Sequence, residues 1–155
     1  MQDPERKKLQ SKRLLIIACS ARKRQLNGLV SAWNTYDGVT YRVLKKLQCE
    51  NCCLNDVDIL IVSAKYGLIK PSTLIEYYDT KMQFDIAARQ APNNVAMLKR
   101  LCESKNYHEV FINVGRLYLE ALQPIDSWLN QSELVIAKGG IGQRISQMKR
   151  WILSL

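Results

Sequence analysis

The sequence predicts an α/β fold: a three-layer α/β/α sandwich around a mainly parallel, four-stranded sheet. Three observations predict it. Four short apolar runs rich in branched residues recur along the chain, helical patterns separate them, and each run ends in polar, glycine or basic residues. Alternation of strands with helices implies βαβ units and a parallel sheet.

The strands are read at Leu14–Ser20 (LLIIACS), Asp58–Ala64 (DILIVSA), Glu109–Gly115 (EVFINVG) and Glu133–Lys138 (ELVIAK). Continuous apolar runs of this length suit strands covered on both faces. Between the first two, Val39, Val43, Leu44 and Leu47 share one helical face. The connection from Lys70 to Pro92 is long, and is expected to hold a short helix and to fold over the site. A further helix carries Val95, Leu98, Leu101 and Cys102 on one side. In the last, Ile141, Ile145, Met148, Ile152 and Leu155 recur at spacings of four and three, with Arg144, Gln147 and Arg150 turned away.

With 155 residues the chain has room for one domain, residues 1–155, of which 1–12 form a basic N-terminal tail. No apolar run approaches the ~20 residues of a spanning helix, and the first residues lack the apolar segment of a secretion signal. A cytoplasmic location without membrane contact is therefore expected. Neither repeats nor a low-complexity stretch are present.

Charge gives the first functional clue. Lys and Arg number 23 against 14 Asp and Glu, for a net +9. The excess gathers at two ends: Arg6, Lys7, Lys8, Lys12, Arg13, Arg22, Lys23 and Arg24 at one, Lys138, Arg144, Lys149 and Arg150 at the other. Such a surface attracts a polyanion through phosphate contacts and counterion release. The partner expected is DNA.

The five cysteines are Cys19, Cys49, Cys52, Cys53 and Cys102. An odd count without a signal segment points to reduced thiols. The stretch CENCC has one C-x-x-C, but Cys19, Cys102 and His108 form no second pair for zinc, so no metal is expected. Neither a phosphate-binding G-x-x-x-x-G-K-S/T loop nor a G-x-S-x-G elbow occurs, and the lone His108 precedes a strand, as a surface residue would. Chemistry must rest on carboxylates, amides, tyrosines and basic groups, with no cofactor.

In open α/β sheets ligands bind beyond the carboxyl ends of the strands, which directs attention to CSARKR, SAKYGLIKP, NVGRLY and AKGGIGQR. After the first strand, Cys19 and Ser20 can hold an anion or a base edge, with Arg22 and Lys23 adding charge. Asp37 either caps the helix that begins near Val39 or offers a carboxylate to the cleft. Lys65 and Tyr66 follow the second strand, and Glu76, Tyr78 and Asp79 come from the long connection; rings stack on a base while carboxylates meet its edge. Asn113 offers a donor and an acceptor to a base, ahead of Gly115 and Tyr118. Gly140 and Gly142 let backbone approach a phosphate beside Arg144.

The motifs CSARK, YDGVTYR, SAKYGLIKP and IEYYD, in this order, resemble a group of small bacterial and phage proteins known as a domain of unknown function. Tyr77 stands where that group usually has proline. The middle motif is also similar to that of the YaaA peroxide-stress proteins and of domains attached to tRNA-guanine transglycosylase relatives. The resemblance implies a nucleobase-handling fold akin to the uracil-DNA glycosylases, and a phage-defence glycosylase that removes a modified base from invading DNA. On that reading the chain hydrolyses an N-glycosidic bond in DNA. Asp79, with Asp37 or Glu76 as rivals, stabilises the sugar cation or orients water. Asn113 and the amides near Ser20 take up charge on the leaving base, and Tyr66 or Tyr78 stacks on it. Arg22, Lys23, Lys65, Gly140, Gly142 and Arg144 hold the backbone. The alternatives are a non-catalytic nucleic-acid binder and an N-glycosyl hydrolase or transferase acting on free nucleosides or nucleotides.

Overall fold

The structure is a computed structural model that describes residues 12–50 and 54–154. Its elements run β1 (Arg13–Ala18), β2 (Val30–Ser31), α1 (Ala32–Thr35), α2 (Val39–Cys49), β3 (Val57–Ser63), β4 (Gly67–Ile69), β5 (Leu74–Ile75) and α3 (Phe84–Lys105), then β6 (Glu109–Asn113), α4 (Arg116–Glu120), a 3-10 turn (Ile125–Ser127), β7 (Glu133–Ile136) and α5 (Ile141–Leu153). The main sheet has the order β4-β3-β1-β6-β7, and β2 pairs with β5 in a separate ribbon. Central β1 is parallel to both neighbours, with Leu15 opposite Ile59 on one side and Phe111 on the other. β7 continues the parallel set, while β4 is antiparallel.

Strand alternation divides the core in two. Leu15, Ile17 and Phe111 pack with Tyr41, Leu44, Met148 and Trp151. Leu14, Ile16 and Ile112 face the other way, among Leu98, Cys102, Leu122 and Trp128. Helices therefore cover both faces, as the continuous apolar runs require.

All four expected strands exist, but the sheet has a fifth. The stretch SAKYGLI is a hairpin: Ser63 pairs with Gly67 across three loop residues, and Gly67 takes a φ of +73° that favours glycine. The connection after β4 is also shorter than expected and contains β5 in place of a short helix. α3 starts at Phe84 and runs through Pro92, which was expected to mark the loop's end. Pro92 lies on the exposed side of the helix, where the carbonyl of residue 88 that its ring displaces can turn out to water. Val39 and Ile141, counted on the apolar faces of their helices, are exposed because each stands in the first turn, beyond the sheet's cover. Leu155, Cys52, Cys53 and the tail before Lys12 lie outside the described residues.

Arg13 departs furthest from expectation. Counted with the basic surface, it is 3% exposed. Its guanidinium donates to the carbonyls of Trp151 at 2.7 Å and Ile152 at 3.2 Å, at the end of α5, and lies 4.5 Å over the Trp151 ring. Asp56 stands 3.6 Å from its Nε. A cation at a helix C-terminus meets unpaired carbonyls and the negative end of the dipole. The chain thus joins its first strand to its last helix through one buried arginine.

Candidate functional site

The strand order reverses between β1 and β6: the chain crosses from β1 to β3 on one side, and β6 then lies on the other. Such a switch point leaves a crevice outside the carboxyl ends of the two strands. A cleft of about 230 Å³ opens there, lined by Cys19, Ser20, Ala21 and Lys23 after β1, Asp79 to Met82 from the connection, and Leu117 and Tyr118 from α4. Clefts that take drug-sized ligands run to ~300–1,000 Å³. This one suits a single ring-sized group.

A buried knot of hydroxyls fixes the walls. Ser63 Oγ, at the end of β3, accepts from the backbone N–H of Lys65 at 3.2 Å and Tyr66 at 3.0 Å, and from Tyr36 Oη at 3.3 Å. Tyr78 Oη lies 2.9 Å from Ser63 Oγ and 2.6 Å from Tyr36 Oη. Since Tyr78 is pinned at its hydroxyl, the adjoining Asp79 is held at the mouth. Cys19 Sγ and Tyr118 Oη share a hydrogen bond of 3.2 Å, joining β1 to α4 at the cleft wall. Burial, then the neighbouring Cys19, raise the Tyr118 pKa well above the ordinary phenol value, so the hydroxyl stays a donor at neutral pH.

Burial also pushes the Tyr36 hydroxyl up from 10.0 to about 12, and raises Tyr78 further. A folded-state value above the unfolded one gives stability that is present below the unfolded pKa and lost as pH rises through the folded one. Urea midpoints are therefore expected to hold up to about pH 10 and to fall between there and pH 12, and Tyr36→Phe is expected to flatten that decline.

The basic loop is strapped in place. Arg24 N–H donates to the Thr35 carbonyl and Asp37 N–H to that of Arg22, at 2.8 and 2.9 Å. Gly38 brings the two segments together, since a Cβ there would lie 2.7 Å from Ser20 Cβ. Gly38→Ala must displace the Cys19–Ser20 turn. Overpacking of this kind costs ~1–3 kcal/mol. Thermal melts of the variant check the effect.

The fold brings together four of the residues singled out from the sequence: Cys19, Ser20, Lys23 and Asp79. Tyr78 underlies them, its ring 4.5 Å from Lys23 Nζ. Tyr66 packs edge-on against Tyr78 at 5.5 Å, and Lys65 Nζ lies 5.3 Å from the Tyr66 ring, so both belong to the outer rim. Arg22 is exposed on the strapped loop.

Others stand apart. Asp37 is not the cap of α2, whose N-cap is Gly38; its carboxylate faces Arg42 at 3.1 Å and Arg22 at 3.7 Å. The Arg42 hydrogen bond, foremost, holds its pKa below the ordinary carboxylate value. Asp37 thus orders the basic loop and does not line the cleft. Glu76 is exposed, and its backbone N–H, not its carboxylate, meets Tyr66 Oη at 3.3 Å. Asn113 is buried beneath α5, where its amide donates to Met148 Sδ at 3.4 Å and accepts from Arg144 at 3.2 Å. It faces the core layer of Phe111 and Met148, away from Tyr118. Arg144 is accordingly tied to Asn113. Gly140 is the N-cap of α5 and Gly142 lies in its first turn, and neither lines the cleft. Tyr118, Thr80, Lys81 and Met82 escaped selection as site residues; Tyr118 carried a signal, standing five residues beyond β6 on the strand end already singled out.

A larger hollow of about 680 Å³ lies along the outer edge of β3, between Trp33 and Tyr107. Among the described residues that line it the single acid is Asp58, engaged by Lys12 at 3.2 Å and Tyr107 at 2.6 Å, so none of them offers a free carboxylate. Among the described residues, no group of three His, Cys, Asp or Glu is placed to hold a metal, and no helix is long and apolar enough to cross a membrane.

Comparison with known proteins bears on this geometry. The sequence profile of a family of unknown function, DUF6884, matches residues 14–150. The chain belongs to DUF6884. The match spans β1 to α5 and includes every residue of the cleft. This DUF6884 chain is also similar in fold to a crystal structure described as AF0587, a protein of unknown function, with a TM-score of 0.53 and 18% identity. The similarity covers 94% of this chain and 46% of the other, so the DUF6884 chain spans under half the length of that relative. No curated protein matches it.

Proposed function

We propose that the chain is a DNA glycosylase that hydrolyses the N-glycosidic bond of a flipped-out base, a modified pyrimidine in invading phage DNA. One observation carries the reading: the Asp79 carboxyl and the hydrogen-bonded pair Cys19–Tyr118 share a ring-sized cleft at the switch point, beneath a cationic rim. Extrusion delivers a base to a pocket of this kind, where its edge is read by hydrogen bonds. The Tyr118 hydroxyl and Ser20 would meet that edge, Lys23 and Arg22 the flanking phosphates.

Departure of the base leaves positive charge on the sugar, as in other glycosyl transfers. Asp79 would stabilise that charge and orient a water molecule. The C1′–N bond breaks with its electron pair on the base, the water oxygen bonds to C1′, one O–H bond of that water breaks, and the proton it releases is balanced by the one the base takes up. Hydrogen-bond donors aimed at charge that develops only in the transition state act chiefly by lowering the barrier. End-labelled oligonucleotides with plain and modified pyrimidines, treated with alkali after incubation, test the proposal. Strand breaks at one base type are expected. Unbroken DNA with every base, from a folded protein, would retire it.

A further inference from the structure

We propose that the open edge of β3 is a docking site for an extended acidic segment of another protein, which adds as a strand beside Val57–Leu60. The edge is open for a reason written in the sequence. β4 pairs with Ile61, Val62 and Ser63 and then stops. Continued in register, the next residue to exchange hydrogen bonds with Ile59 would be Pro71, since Ile61 faces Ile69. Pro71 has no N–H to give, and its carbonyl accepts from Trp33 N–H at 2.9 Å. The chain turns away to form β5.

The orientation of β3 leaves usable groups there. Asp56 and Val62 direct their carbonyls to β1, accepting from Arg13 and Cys19 at 2.9 Å. Residues of even number therefore face β1, and those of odd number face outward. Val57 N–H is satisfied by the Leu54 carbonyl at 3.2 Å. The Val57 carbonyl and both backbone groups of Ile59 remain, and among the described residues no strand pairs with them. An unpaired row of this kind is a template for another strand.

The 680 Å³ hollow lies where such a strand would sit. It runs along Val57–Leu60, with Trp33 and Leu54 on one side of the sheet and Leu101 and Tyr107 on the other. Alternate side chains of an added strand would enter the two sides in turn. Charge selects the occupant. Lys70 and Lys105 line the hollow, Lys45 Nζ lies 5.6 Å over Trp33, and the one acid among the described residues that line it, Asp58, is engaged by Lys12 and Tyr107. Apolar side chains interspersed with carboxylates complement that lining. A second copy does not, because the chain carries +9 and would set one cationic hollow against another.

The probe is an acetylated nonapeptide of alternating valine and glutamate, added to the full chain while amide hydrogen exchange is followed. The exchange of Ile59 N–H should slow at least ten-fold at saturation. A peptide N-methylated along its bonding edge should give no protection, and Lys70→Glu with Lys105→Glu, both at exposed positions, should turn the preference to a valine–lysine peptide. Base release serves as a separate readout and should be unchanged. Three results would overturn the proposal: no protection at millimolar peptide, protection of Ile59 in the chain alone, or protection that rises with protein concentration. The second would mean the chain covers its own edge, and the third a second copy.

Discussion

Asp79→Asn is expected to slow base release by a hundred-fold or more while leaving the fold and DNA binding intact. Asparagine keeps the size and a hydrogen-bonding oxygen but removes the negative charge. The loss falls on the step in which positive charge builds on the sugar, where a preorganised charge is worth ~10²–10³ in rate. Asp79 is exposed at the mouth and forms no ion pair among the described residues, so the substitution leaves no buried partner stranded. A fall in single-turnover rate with an unchanged dissociation constant is the signature. Asp37→Asn should act differently. It frees Arg22 and Arg42 from their shared anchor, so it should loosen DNA binding first and release second.

The largest effect on stability is expected at Arg13. Arg13→Ala removes the donor to the Trp151 and Ile152 carbonyls, the cation over the Trp151 ring, and the partner of Asp56. Each buried acceptor left without its donor costs ~1–3 kcal/mol. For a domain of this size the two together lower the melting temperature by roughly 10 °C. Arg13→Met retains the apolar stem but no donor, so it should recover the packing share of the loss and leave the carbonyls unsatisfied. Urea midpoints of the two variants measure the shares. Hydrogen exchange should show the end of α5 opening ahead of the rest.

β1, β3 and β6 were legible because each is largely buried on both faces and so spells a continuous apolar run; β7 spells one too, although at the sheet's edge it is only half-buried and Val135 is exposed. β4 was not legible: three residues in SAKYGLIKP read as a turn, although Gly67 is the sign of a hairpin there. The start of α3 was hidden by Pro92, which marks the end of the connection on the sequence reading although the helix runs through it on its exposed side. The carboxyl-end rule, which depends only on topology, pointed to Cys19, Ser20 and Lys23, and the fold brings them to one cleft with Asp79 of the long connection. Asn113 shows its limit. At the end of a strand, the face that a residue takes follows from alternation, and Asn113 lies two positions beyond Phe111 and so on the α5 side. The period-2 pattern held that information. Arg13 held none: a basic residue beside a basic tail gives no sign that a helix end will close over it.

The central claim is that the cleft between β1 and β6 accepts one extruded base and cuts its bond to the sugar. Mass spectrometry of bases set free from genomic DNA of phages with plain and modified pyrimidines tests it most directly. A single free base from one class of DNA with the wild-type chain, and none with Asp79→Asn, is the predicted result. Every genome left intact by a chain shown to be folded and bound to DNA would contradict it.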